Sequence, residues 1–230
     1  MERKQYELCL EILRRFHKAQ ILDNLILIGS WCIFFYKDYF FSDSHIEHIV
    51  LKTRDLDFLV DAPNKIKHAV DIPELLRDLG FVVDFRGDKG YIKLDHPDLI
   101  LEFLVPEKGR GIDRPYRIPA LSINATALRF LDFLSANTIK VKIEDFYLTL
   151  PHPANFAFHK LIIFQRRAKK DKAEKDRNTA VEILKALINK GESDILKKVF
   201  LSVNRKWQNK IISGLKEAGE GDIEKILADE

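Results

Sequence analysis

Apolar residues recur along the chain with two different periods, and the point where one replaces the other divides the sequence. Residues 6–20 place Leu8, Ile12, Leu13 and Phe16 at helical spacing, with Glu7, Glu11, Arg14, Arg15 and Lys18 around the other face, which predicts an amphipathic opening helix. Leu25-Ile26-Leu27-Ile28 predicts a short buried strand, ended by Gly29-Ser30 and followed by an aromatic-rich second helix from residue 31 to 41. Strand patterns then dominate over 56–60, 81–85, 91–94 and 99–105, with helix-like sequence at 72–79 and a hairpin turn at Gly87-Asp88-Lys89-Gly90. Over 138–145, Ile139, Val141 and Ile143 alternate with Lys140, Lys142 and Glu144, the pattern of a half-exposed strand.

The period changes at Pro151-His152-Pro153. Beyond it the segments near 153–170, 172–190, 192–202 and 204–218 are all helical in spacing. The expected architecture is α+β: a mixed β-sheet flanked by helices over residues 1–150, then an all-helical domain over 151–230.

Composition narrows the function classes. The 230 residues are 46% hydrophobic and 32% charged, the balance of a folded chain rather than a disordered one. The apolar-rich run 25–36 falls short of the roughly 20 residues a membrane helix needs, no stretch near the N-terminus has signal-peptide character, and the two cysteines, Cys9 and Cys32, suit a reducing compartment. A cytoplasmic protein without a membrane partner is the expectation.

Three acids stand out. Asp55 and Asp57 open the apolar strand 56–60, and Glu102 interrupts another in Leu99-Ile100-Leu101-Glu102-Phe103-Leu104-Val105. Residues i and i+2 of a strand point the same way, so Asp55 and Asp57 project together while Leu56 and Phe58 pack behind them. Such hard oxygen ligands suit Mg2+ or Mn2+. The spacing alone is weak, because 35 acids in 230 positions produce roughly five such pairs by chance. Glu220, Asp222 and Glu224 share it and read as a solvated tail. Apolar context sets the trio apart, although edge carboxylates paired to Lys or Arg give the same pattern. The Gly29-Ser30 turn feeds a helix N-terminus, where free N–H groups and a bare glycine accept a phosphate, and where Ser30 serves equally as a simple N-cap.

Taken together, an apolar strand ending in Gly-Ser, Asp-Leu-Asp opening the next, and an acid inside a later strand resemble the nucleotidyltransferase superfamily that includes DNA polymerase beta. Thr53-Arg54-Asp55-Leu56-Asp57-Phe58, followed by His159-Lys160-Leu161 and the stretch from Arg166-Arg167 to Asp176, is similar to minimal bacterial nucleotidyltransferase-fold proteins, among them relatives of abortive-infection nucleotidyltransferase toxins. The resemblance implies a nucleotidyltransferase fold, two Mg2+ or Mn2+ ions and a nucleoside triphosphate (NTP) donor. It makes Asp55, Asp57 and Glu102 both catalytic residues and metal ligands, with Glu102 helping to deprotonate the acceptor hydroxyl. It gives Gly29, Ser30, Thr53 and Lys160 to nucleotide binding. One departure is plain: 25 positions separate Ser30 from Asp55, farther than is usual, and they hold Tyr36, Tyr39, Phe40, Phe41, His45 and His48.

The formal net charge of +3 hides an asymmetry. Lys160 to Arg177 contains eight basic residues and three acids, a local +5, leaving −2 for the remainder. That segment is either a surface for phosphates or RNA or a solvated pair of helix ends. His45 and His48 read as a surface pair, His152 as a linker residue and His159 as packed beside Lys160. The function expected is metal-dependent transfer of a nucleotidyl group from an NTP to RNA, protein or a small hydroxyl compound; a non-catalytic nucleotide- or RNA-binding module is the alternative.

Overall fold

The computed structural model describes residues 3–40, 53–107, 109 and 114–228. It divides into two compact units, one made of Met1–Phe34 and Val50–Pro151, the other of Phe35–Ile49 and His152–Glu230. No described helix is long and apolar enough to cross a membrane.

The first unit opens with α1 (Arg3–Lys18), β1 (Ile26–Ile28) and the start of α2 (Trp31–Tyr39). It continues with β2 (Asp55–Leu59), α3 (Ile72–Leu76), β3 (Val82–Arg86), β4 (Tyr91–Asp95), β5 (Ile100–Pro106), β6 (Tyr116–Ile118), β7 (Ile123–Leu128) and α4 (Asp132–Ser135). Strands β8 (Thr138–Ile143) and β9 (Phe146–Pro151) close it as a separate antiparallel hairpin. The main sheet runs β1-β2-β5-β4-β3, with β7 joining β5 and carrying β6 at its far side. It is mixed as expected: β2 and β7 lie parallel to β5, and β1 antiparallel to β2.

Strand alternation assigns the two faces. Leu56, Phe58, Leu101 and Phe103 are buried on one face, where Phe58 stacks on Phe103 at 5.9 Å between ring centres. Phe16 of α1 closes over both rings at 5.5 and 6.5 Å, so the apolar stripe read in the opening helix is what covers this side. The opposite face changes character along its length. Ile28, Leu59 and Leu104 are buried beneath Leu131 and Leu134 at one end, and Asp55, Asp57 and Glu102 occupy the other.

The second unit is helical: α5 (Pro153–Ile163), α6 (Lys170–Asn189), α7 (Ser193–Ser202), α8 (Arg205–Ala218) and α9 (Gly221–Ala228). Every residue of α5 from Pro153 to Ile162 is buried, which makes it the central helix of this unit. Tyr36 of α2 meets Phe156 edge-on at 5.5 Å, and Phe158 packs near Phe200.

Several expectations change. The helix read over 153–170 stops at Ile163 and passes through a 3-10 turn at Phe164–Arg166 to an extended Arg167, which releases that guanidinium to reach Asp176. His152 is a buried N-cap rather than a linker residue: its ring accepts the Ala154 N–H, and Tyr39 Oη lies 3.4 Å from its Nε2. The acidic tail is helix α9, with Asp222 and Glu224 in the first turn, where the helix dipole favours them. Phe41, His45 and His48 lie outside the described residues.

Candidate active site

Register gathers the acids. The antiparallel β1-β2 pair sets Ile28 opposite Asp57, and the parallel β2-β5 pair sets Asp57 opposite Glu102 and Asp55 opposite Ile100. Asp55 and Asp57 share one face by strand alternation, and Glu102 joins it from the neighbouring strand. Asp55 is exposed, while Asp57 and Glu102 are half-buried. The Asp55 N–H donates to Thr53 Oγ1 at 3.1 Å, which ties the entry of β2 to the threonine before it.

β1 leads directly into Gly29, which sits at φ +76°, in the left-handed region. A Cβ built there would press into Asp57 Oδ2, with Asp57 Cγ at 3.4 Å and its Cβ at 3.5 Å. The bare Cα of Gly29 therefore backs the Asp57 carboxylate, and both the backbone angle and the space require glycine. Ser30 follows at the mouth of α2, where the Cys32 and Ile33 N–H groups bond back to the Gly29 and Ser30 carbonyls at 3.3 and 3.2 Å.

Two residues that sequence reasoning missed complete this face. Lys93 of β4 bonds Glu102 Oε2 at 2.7 Å, and Thr126 of β7 donates to Glu102 Oε1 at 3.1 Å. Burial pulls the Lys93 pKa down, but the hydrogen bond and charge of Glu102, reinforced by the charges of Asp55 and Asp57, outweigh it and leave the ammonium raised. Among the described residues no three acid, histidine or cysteine side chains converge on a point that could hold a metal. Both Glu102 oxygens are already engaged, one by Lys93 and one by Thr126. The donor set itself fits a hard divalent cation, with three carboxylates on one sheet face and a glycine-lined wall behind the central one.

Lys160 lies in the helical unit. The residue is 6% exposed and its ammonium bonds Asp176 Oδ1 at 2.5 Å, while Arg167 holds Asp176 Oδ2 at 2.8 Å. Burial pushes the Asp176 carboxyl upward, and the two cations more than reverse this, so its pKa is lowered. In the basic segment Arg166, Lys169, Lys170 and Lys172 are exposed, whereas Arg177 is spent on Glu217 at 3.1 Å.

A family model described as Nucleotidyltransferase matches residues 7–203, most of the chain. The chain belongs to this nucleotidyltransferase family. No curated protein matches it. Among solved structures, an antigenic nucleotidyltransferase-like protein from Paracoccidioides brasiliensis shares the fold at a TM-score of 0.50 and 10% identity, over 96% of this chain and 92% of that one. A crystal structure of ANT(2")-Ia in complex with adenylyl-2"-tobramycin aligns at a TM-score of 0.45 and 13% identity, covering 80% of this chain and 94% of the other. A solution structure of ANT(2'')-Ia gives 0.44 and 13%, over 86% and 97%. The mixed sheet with flanking helices and a helical C-terminal region is thus a nucleotidyltransferase fold.

Proposed function

We propose that this nucleotidyltransferase moves a nucleoside monophosphate from an NTP to an acceptor hydroxyl and releases pyrophosphate. The observation that carries the reading is the register Ile28–Asp57–Glu102, which sets a glycine turn, an acid pair and a third acid on neighbouring strands. Asp55, Asp57 and Glu102 would hold Mg2+ or Mn2+, two ions in all, and such ions when bound neutralise phosphate charge and draw the attacking and leaving oxygens into line.

The chain's own residues do the rest. Gly29 and Ser30 present backbone to the donor phosphates, and the wall at Gly29 keeps Asp57 in place. Thr53 steadies the start of β2 beside the nucleotide. Glu102 takes the proton of the acceptor hydroxyl as its oxygen bonds to the α-phosphorus and the bond to the pyrophosphate oxygen breaks. Lys160 belongs to the same proposal as a ligand of the triphosphate. Positioning and charge account for catalysis, and no covalent enzyme intermediate is needed.

RNA, a protein side chain and a small hydroxyl compound all suit this chemistry as acceptor. Incubating the protein and its Asp57→Asn variant with α-labelled NTPs, Mg2+ and separate RNA, protein and small-molecule pools tests it. The wild type labels one pool and Asp57→Asn labels none; equal labelling by both sinks the proposal. Extending the proposal to a growth-arresting toxin, on the sequence resemblance alone, predicts that induced expression arrests growth with wild type and not with Asp57→Asn. A second reading, binding of nucleotide or RNA without transfer, draws on Lys93 already neutralising Glu102. It predicts NTP binding that ignores both metal and the Asp57 substitution.

A further inference from the structure

Glu102 stands between two kinds of neighbour. On one side β2 sets Asp57 opposite it. On the other, β4 pairs Leu94 with Leu101 and Asp95 with Ile100, and the next step of that register brings Lys93 to Glu102. Both carboxylate oxygens are taken on this second side, one by the ammonium and one by the Thr126 hydroxyl. Three carboxylates on one sheet face repel each other unless a cation lies among them. Lys93 is such a cation, bonded to Glu102, with Asp55 and Asp57 also acting on its charge.

We propose that Lys93 is the built-in counter-ion of the acid trio and makes the site favour a metal–triphosphate complex over the bare metal. The inference rests on the reading of the trio as a metal and nucleotide site. A divalent cation arriving alone must take Glu102 from an ammonium 2.7 Å away and then sit beside that positive charge. A metal already carried by a triphosphate is net negative, so the released ammonium attracts it. Lysine suits the task because its four-carbon stem can withdraw while its charge remains. The Lys93 side chain is 28% exposed, so it has solvent to withdraw into. Before loading, the same contact keeps half-buried Glu102 paired. Lys93 is thus a positioning and specificity residue that acts through Glu102 and through the charge on the complex.

The test is calorimetry of Mn2+ alone, and of Mn2+ with a non-hydrolysable ATP analogue, on wild type, Lys93→Met, Lys93→Arg and Asp57→Asn, with circular dichroism confirming each fold. Lys93→Met should bind Mn2+ alone more tightly, on the order of tenfold, and bind the metal–nucleotide complex more weakly. Lys93→Arg keeps the charge and should stay near wild type in both. If wild type binds bare Mn2+ too weakly to measure, its appearance in Lys93→Met is the same result. Bare-metal binding that is unchanged, weakened or still absent in Lys93→Met overturns the proposal, as does an undiminished affinity for the complex. Asp57→Asn separates the two levels: Mn2+ binding that ignores this substitution refutes the reading of the site, whatever Lys93 does.

Discussion

Gly29→Ala tests the wall behind Asp57. Two separate costs follow from the structure. Holding alanine at φ +76° costs about 1–2 kcal/mol. Its Cβ also presses into Asp57 Oδ2, so the carboxylate must rotate off its position, which adds about 0.5–1.5 kcal/mol. Gly87 supplies the control, because it sits at φ +64° and a Cβ there would meet nothing within 4 Å, so Gly87→Ala carries the backbone cost alone. Urea unfolding should therefore show Gly29→Ala losing about 1.5–3.5 kcal/mol and Gly87→Ala about 1–2 kcal/mol. Calorimetry with Mn2+ should separate them further, with Gly29→Ala binding about 10–100-fold more weakly, as when a group supporting a metal ligand is lost, and Gly87→Ala unchanged. Equal stability losses together with unaltered Mn2+ affinity in Gly29→Ala would refute the argument that this glycine positions the central carboxylate.

The helical unit carries its own tests. Burial and the charges of Lys160 and Arg167, opposed by Asp176, lower the His159 pKa from 6.5 to about 3, and its buried Nε2 makes no hydrogen bond among the described residues. Because the native pKa is depressed, this stability is full above pH 6.5 and drains away as pH falls toward 3, about 2 kcal/mol of it between pH 6.5 and 5. His159→Phe should flatten that part of the stability–pH curve, and an unchanged slope would contradict the assignment. Asp176 is also depressed, so its contribution disappears in a lower window, below the ordinary aspartate value near 3.9. Asp176→Asn leaves the Lys160 ammonium buried without its carboxylate and should cost about 3–5 kcal/mol in thermal unfolding, while Lys160→Met with Asp176→Leu recovers most of it. A loss below about 1 kcal/mol for Asp176→Asn would mean that water, rather than the pair, carries the lysine's charge.

Local pattern and strand register were legible in the sequence to different degrees. The opening helix, β1, β2, β5 and the Gly87–Gly90 hairpin each announce themselves within ten or so residues. Runs such as Leu56 to Val60 and the Gly-Ser turn need no information from elsewhere in the chain. β6 has only three residues, Tyr116–Ile118, and β7 reads Ile-Asn-Ala-Thr-Ala-Leu, where alanines blur the alternation. β9 does alternate, with Phe146, Leu148 and Leu150 buried, but it follows β8 after a two-residue turn and merges with it in the sequence. Helix α9 hides behind its acids, although Ile223 and Leu227, four apart, are its buried stripe.

The same division runs through the candidate site. Asp55, Asp57 and Glu102 are visible because each is a carboxylate set against apolar neighbours in its own strand, and that contrast is local. Lys93 and Thr126 carry no such contrast. Lys93 sits in Tyr-Ile-Lys-Leu-Asp, where a lysine is the ordinary exposed member of an alternating strand, and Thr126 lies in a strand the pattern does not reveal. Their importance comes from β5, whose two edges accept different partners: β2 along one, and β4 followed by β7 along the other. Only this arrangement makes Glu102 a neighbour of Asp57 and Lys93 at once. The balance of charge between carboxylates and ammonium is therefore a property of strand order, and substitutions that shift the β4-β5 register by one residue should disturb metal affinity as much as removal of Lys93, because a one-residue slip sends its ammonium to the opposite face.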